Sequence, residues 1–397
     1  MLILLLSAFL ARGTPEMDLV PPPVNRTMTG DWGDSREFLR EHGLTINPSF
    51  TTDLVGNPVG GMNQGFSYAG SFGLNVGLDF EKAWNITGLD LFTSVVWRTG
   101  TSLSREHIGN QFPVQQLFGS QTIKLNELFL RETLAKGAFV LKAGRLNAGN
   151  DFLQNELYYR YVSNAFDGNP ISVFFNTQFT AYPSATWGAF LSFKPIRWLQ
   201  AKFAVYNANS NINKNKYHGL NFTFKSTNGA IWITEWDLLI NENKLYPGNY
   251  KFGFFKQSGA VNQFNKGMVR GNPCLYFLFD QTVYHPSQDL NRKVTPFISL
   301  VFQPDNRNQI PFFTTSGIVY QGPFASRPKD AAVLGVAYGK YSSYLNQSAE
   351  TVLELNYWIQ MNEWCTFVPD LQYIINPKGE GKIPNALVLG AQIGIVL

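Results

Sequence analysis

The stretch SFGLNVGLDF alternates without a break. Phe72, Leu74, Val76, Leu78 and Phe80 are apolar, and the residues between them are Ser, Gly, Asn, Gly and Asp. In SAETVLELNYWI, Ala349, Leu353, Leu355, Tyr357 and Ile359 share one face with Thr351, against Ser348, Glu350, Glu354, Asn356 and Trp358 on the other. RWLQAKFAVYN sets Leu199, Ala201, Phe203 and Val205 opposite Trp198, Gln200, Lys202 and Tyr206. A period of two places alternate side chains on opposite faces of a strand, so each segment has one apolar and one wet side. Over about ten residues, this is the pattern of a strand tilted across a bilayer, with lipid outside and water inside.

A half-buried sheet in a soluble protein reads the same way, and composition separates the two. Only 15% of the 397 residues are charged, against roughly 25% in an average soluble protein. Aromatics also reach 15%, and Trp84, Trp97, Tyr158, Tyr159, Trp232, Trp236, Tyr357 and Trp364 fall near strand ends, where interfacial girdles belong. The polar faces carry charges that a dry sandwich core would not tolerate unpaired. Past the N-terminus no apolar run reaches the ~18 residues of a membrane helix. The final segment, ALVLGAQIGIVL, keeps Leu389, Ala391, Ile393, Ile395 and Leu397 on one face, as required of a last strand that pairs with the first and removes the open edge. The expected fold is an all-β, transmembrane antiparallel barrel of about 16 strands with a short N-terminal helix and a water-filled lumen.

Residues 1–13, MLILLLSAFLARG, read as an export signal: about ten apolar residues are too few to span a bilayer. A linker and helix occupy 14–43, with Pro-rich VPPPV followed by DWGDSREFLREHG. There Asp34 is expected to cap the helix with Glu37 three residues on, Phe38 and Leu39 to form its apolar face, and Gly43 to end it. The barrel is expected over 44–397.

Several chemistries are excluded. A formal charge of +4 with no Lys/Arg run leaves no basis for nucleic-acid binding. The four histidines accompany no nucleophile motif, metal-ligand spacing is absent, and Glu350 with Glu354 is a pair that any polar lumen offers. The expectation is therefore a protein with no catalytic residues, cofactor or metal. Arg98, Glu127, Arg131, Lys142, Glu350, Glu354 and Trp358 fall on lumen-facing positions. Mixed charge beside aromatic rings suits small neutral sugars, whose hydroxyls exchange hydrogen bonds while a ring covers the pyranose face.

AGRLNAGNDF (Ala143–Phe152) turns from an apolar strand into Gly, Asn and Asp around one arginine. It is not a phosphate loop, because Asn150 and Asp151 stand where Lys and Ser or Thr would be needed. Two readings stay open for Arg145 and Asp151: they point into the pore with Asn147 and Asn150 satisfying the exposed backbone, or they pin the turn.

TGDWGDSREFLREHGL, AGRLNAGNDF, AYPSATWGAFLSF and VPDLQYIINPKGEGKIPNALVLGAQIGI, in that order, resemble the carbohydrate-selective porins of the OprB family. The resemblance implies a 16-stranded outer-membrane barrel, often monomeric, passing glucose and related sugars by diffusion, with AGRLNAGNDF beside an in-folded constricting loop. Two departures stand out: Asp34 replaces a glycine of the family's TGDWGG, and the chain ends in Leu397 where an aromatic is usual for the barrel-assembly machinery. Outer-membrane lipids and that machinery are the expected partners, besides sugars. A disulfide to another envelope protein through Cys274 or Cys365 stays open. The competing readings are an envelope structural or adhesive barrel, a general diffusion pore without sugar preference, and a soluble sugar-binding β protein.

Overall fold

The computed structural model describes residues 26–397 apart from 119–120, 167, 242–244 and 287–288. The export signal expected at 1–13 and the VPPPV linker lie outside the described residues.

Strands β1 (Leu44–Val59), β2 (Gly65–Asp79), β3 (Leu89–Gly100) and β4 (Thr122–Leu134) open the wall. They are followed by β5 (Phe139–Leu146), β6 (Thr186–Ile196), β7 (Leu199–Asn207) and β8 (Ala230–Ile240). Next come β9 (Gly248–Gln263), β10 (Gly267–Gln281), β11 (Lys293–Phe302) and β12 (Phe312–Gln321). The last are β13 (Ala331–Lys340), β14 (Ala349–Asn362), β15 (Cys365–Ile375) and β16 (Ala386–Val396). Each strand pairs antiparallel with its sequence neighbours, and β1 pairs with β16 from Ser49↔Val396 to Val59↔Leu387, closing the barrel. Closure matters because an unpaired backbone group in hydrocarbon costs several kcal/mol.

The alternation predicted from sequence is the observed in/out pattern. In β14, Glu350, Val352, Glu354, Asn356 and Trp358 are buried inside, while Leu353 and Leu355 face outward. Phe80 leaves the pattern, because the strand ends at Asp79, whose carboxylate caps a five-residue helix, Phe80–Trp84. Trp97 and Trp232 face outward near strand ends, as a girdle requires, and Trp84 is exposed in the turn helix. Trp236 instead sits midway along β8 against Phe203, with ring centroids 5.9 Å apart. Tyr158 and Tyr159 are not girdle residues: they belong to a loop folded inside the barrel, where Tyr158 is 1% exposed.

Helix α1 (Ser35–Glu41) plugs the turn end beside β1. Asp34 does precede it, but with φ of +67° and no side-chain cap bond; Asp31 supplies the carboxylate, accepting the Glu37 amide at 2.9 Å. The left-handed backbone at 34 explains why glycine is at home there in TGDWGG. Gly43 ends the helix at φ +89°, where a Cβ would stand 2.5 Å from the Asp79 carbonyl. Phe38 is exposed rather than packed.

Arg36 joins the helix to both strands of the barrel seam at one end. It donates to the carbonyls of Leu397 at 2.9 Å and Ile46 at 3.2 Å, and to Thr27 Oγ1 at 2.9 Å. Hydrogen bonds to charged groups contribute about 1.5–3 kcal/mol each. Arg36→Ala is therefore expected to lower the temperature at which the folded barrel converts to the slow-migrating unfolded form on gels, while Arg36→Lys recovers part of the loss.

Candidate functional site

The lumen is narrowed by two segments that fold inward from the loop end, 101–118 between β3 and β4 and 147–185 between β5 and β6. Their aromatic rings pack against the β11–β13 side: Phe112 on Phe313 at 5.3 Å, Tyr158 and Tyr161 on Phe297 at 5.2 and 5.7 Å, and Tyr161 stacked on Phe166 at 4.2 Å. The wall makes room with glycines. A Cβ on Gly335 would lie 2.5 Å from the Tyr161 ring, and one on Gly339 would lie 2.3 Å from Phe112. Burial raises the Tyr158 and Tyr161 hydroxyls well above their ordinary pKa, which keeps them neutral.

Wall carboxylates hold the backbone of these segments. Glu350 accepts the amides of Gln111 and Phe112, both at 2.7 Å. Glu354 accepts Val162 and Ser163 at 2.7 and 3.0 Å, and Glu235 accepts Leu153 at 2.9 Å. Glu127 accepts the Asn147 amide and the Asn150 side chain, both at 2.8 Å. Lys202 bridges Glu235 at 3.0 Å and Asp237 at 2.7 Å, and Tyr276 also donates to Glu235. Loop backbone needs partners wherever it leaves water, and a carboxyl group offers two acceptor oxygens.

What stays open is a cavity of about 560 Å³ on the other side, between these segments and the wall of β1–β4. Ser49, Thr51, Ser71, Asn75 and Ser94 line it from the wall; Tyr159, Phe174, Phe175 and Tyr182 line it from the loop. Arg98 and Glu127 add the ionisable side chains, with the Arg98 guanidinium 5.1 Å from the centre of the Tyr182 ring. The passage is thus a slot with mostly hydroxyls and amides on its wall side, and aromatic rings set among amides such as Gln116 and Gln178 on its loop side.

Of the residues expected from sequence to line the pore, Arg98 and Glu127 border this cavity. Glu350, Glu354 and Asn147 face inward but serve as anchors, Asn147 by capping the turn at Gly149. Lys142 and Asp151 form a buried ion pair at 2.7 Å, with Tyr206 also donating to Asp151, so Asp151 pins the turn rather than facing the passage. Arg131 lies near the turn end, paired with Asp90 at 2.7 Å. Trp358 faces inward beneath the Arg160 guanidinium, 4.6 Å away, outside the cavity. The hydroxyl wall and Tyr182 carried no sequence signal beyond small polar residues on the inward positions of strands. Of the loop's aromatics, Tyr158 and Tyr159 read as girdle residues.

Of the two readings left open for Arg145, its position goes against the pore-facing one. It aligns with Leu128 and Trp187, which face outward, and is fully buried beneath segment 220–224. Its guanidinium donates to the Asn221 carbonyl at 3.0 Å and the Ala185 carbonyl at 3.4 Å, with the Phe222 ring 5.5 Å away. The glycine before it answers to close approach: a Cβ on Gly144 would stand 2.4 Å from the Leu128 carbonyl. Cys274 faces inward and is 1% exposed, out of reach of another envelope protein, whereas Cys365 lies on the outward register; both are free thiols.

Two outcomes are expected. Arg145→Glu loses folded barrel without a selective change in flux, because it buries a carboxylate against two carbonyls. Glu354→Ala folds but frees residues 162–163, and single-channel recordings read a larger conductance and passage of longer maltodextrins. Glu354→Gln lies between the variant and the parent.

The comparisons agree with this architecture. Porin B of Pseudomonas aeruginosa is 26% identical over 94% of this chain and 92% of that porin. The high pH structure of Pseudomonas putida OprB matches with a TM-score of 0.88 at 23% identity, covering 94% of this chain and 99% of that one. Its low pH structure matches with a TM-score of 0.65 at 22% identity, over 94% and 98%. The family model for carbohydrate-selective porins, OprB family, matches residues 63–397. A closed 16-strand barrel, an inward-folded constriction and this match together make the chain a member of the OprB family of carbohydrate-selective porins, an outer-membrane sugar channel of the Gram-negative envelope.

Proposed function

We propose that glucose-sized neutral sugars pass singly through the slot between β1–β4 and the loop 147–185, by diffusion and without a catalytic step. The observation that carries this reading is that one cavity combines polar side chains on both sides with aromatic rings on the loop side. A pyranose has an equatorial rim of hydroxyls and flatter C–H faces. Ser71, Ser94 and Asn75 offer exchangeable hydrogen bonds to the rim, while Phe175 and Tyr182 offer apolar surface to a face. Arg98 donates to sugar oxygens, and the Asn150 amide held by Glu127 fixes the opposite edge. Each contact replaces one the sugar made with water, so binding stays weak enough for release and flux saturates at high sugar. A general pore would need only width; this slot gives a sugar more partners than a non-sugar of equal size.

Liposome swelling with glucose, a disaccharide, a longer maltodextrin and an uncharged non-sugar matched to glucose in size tests the reading. Glucose is expected to enter faster than the matched solute, and entry at equal rates removes the sugar-site claim. Arg98→Ala is expected to erase most of that preference with little change in entry of the matched solute. An equal loss for both solutes would make Arg98 a residue of pore width alone.

A further inference from the structure

β5 is short. It ends at Leu146, whereas β4 runs on to Thr122 at the loop end, and the first cross-strand partner of Arg145 is Leu128. Residues 122–127 of β4 therefore have no β5 beside them. The segment after β7 fills this notch. The Lys124 ammonium donates to the Asn213 carbonyl at 3.0 Å, and the Leu125 amide donates to the His218 carbonyl at 2.9 Å. Beyond it the chain crosses the outside of the barrel rather than standing above it. The carbonyls of Asn221, Phe222 and Lys225 are held from below by Arg145, the Trp187 indole and the Asn207 amide, at 3.0, 3.0 and 2.9 Å.

With its carbonyls turned to the wall, this stretch leaves Leu220 and Phe224 64% and 65% exposed, while the Phe222 ring, 42% exposed, lies over the Arg145 guanidinium and beside Trp187. An exposed apolar pair flanked by cations, on a loop outside the strand ladder, is the composition of an interfacial contact. Lys214, Lys216 and Lys225 bracket it and are exposed, as is His218. No Asp or Glu occurs anywhere from Phe203 to Thr234. The surface thus combines apolar side chains at the membrane boundary with cations that have no acidic neighbour in the segment. It lies at the end where a porin carries its longer, outward-facing loops.

We propose that segment 214–225 docks a phosphorylated glycolipid of the outer leaflet. The three lysines meet its phosphates, and Leu220 and Phe224 lie along its acyl chains. Lysine stems bury along apolar surface while their charged ends stay in the headgroup layer, the arrangement that interfacial anchors use. The charge selects a phosphate-bearing headgroup over a zwitterionic one, and the apolar pair selects a lipid over a soluble anion such as inorganic phosphate. The lipid then holds the segment against the notch that β5 leaves open. None of these side chains belongs to the sugar slot, so this site and the sugar reading fail independently.

The test is titration of the refolded full-length chain in detergent with fluorescent deep-rough lipopolysaccharide. Parallel titrations use phosphatidylglycerol and phosphatidylcholine micelles. Replacing Lys214, Lys216 and Lys225 by Gln together is expected to weaken lipopolysaccharide binding at least roughly tenfold, since each basic residue near an anionic surface contributes measurably. The matched control Lys266→Gln, Lys340→Gln, Lys382→Gln is expected to bind as the parent does. A second variant, Leu220→Ser with Phe224→Ser, keeps the lysines and is expected to lose affinity as well; it serves as the test if the lysine variant misfolds. Parent-like binding by both site variants overturns the proposal, as does an equal loss in the control. Binding of phosphatidylglycerol as tight as that of lipopolysaccharide also overturns it, leaving only non-specific attraction to negative lipid. Glucose swelling rates unchanged across all these variants are expected, and a loss confined to the site variants would assign the segment to the pore instead.

Discussion

Everything in this molecule depends on pairing the backbone inside a solvent that offers no hydrogen bonds. The ladder between β1 and β16 completes a ring in which every strand has two neighbours, and its inner and outer faces are then set by the period of two. Because closure fixes register around the whole ring, an inward Glu or Lys cannot slip outward without moving its entire strand. The charges on the inner wall are therefore held at defined heights, and those heights receive the loops.

A ring of 16 strands is far wider than one sugar, so selectivity requires filling most of it. The filling is asymmetric. Glycines at 335 and 339 seat the aromatics of the two inward segments on one side, and Glu350, Glu354, Glu235 and Glu127 capture their amides. The opposite wall is lined with Ser, Thr and Asn, which take little space and demand no fixed partner. The acids that resemble candidate sugar ligands thus position the constriction, and the passage runs along the blander wall.

Part of the site was legible and part was not. Arg98 and Glu127 border the slot as their strand positions implied, because parity alone decides inside from outside in a regular strand. Parity also predicts outward for Arg145, counted from Lys142. The polar surroundings of AGRLNAGNDF kept a pore-facing reading open beside the pinning one, and the residue is satisfied outside by segment 220–224. Asp34 shows the same limit at small scale: the residue type fits a cap, but a φ of +67° turns its side chain from that task and gives it to Asp31. Tyr158 was misplaced because a loop that re-enters the lumen has no periodicity to reveal its depth.

The sequence by itself determined the closed barrel, its inward and outward faces, its membrane and its family. Those follow from local alternation, composition and contiguous motifs, which need no knowledge of distant partners. The tertiary structure alone decided where the opening lies and which charges border it. That outcome rests on pairs such as Glu354 with Val162 and Glu350 with Phe112, separated by some 190 and 240 residues of chain. A carboxylate on a strand looks the same in sequence whether it meets water, a sugar or a folded-in loop. Only the route of the loop through the lumen distinguishes the three.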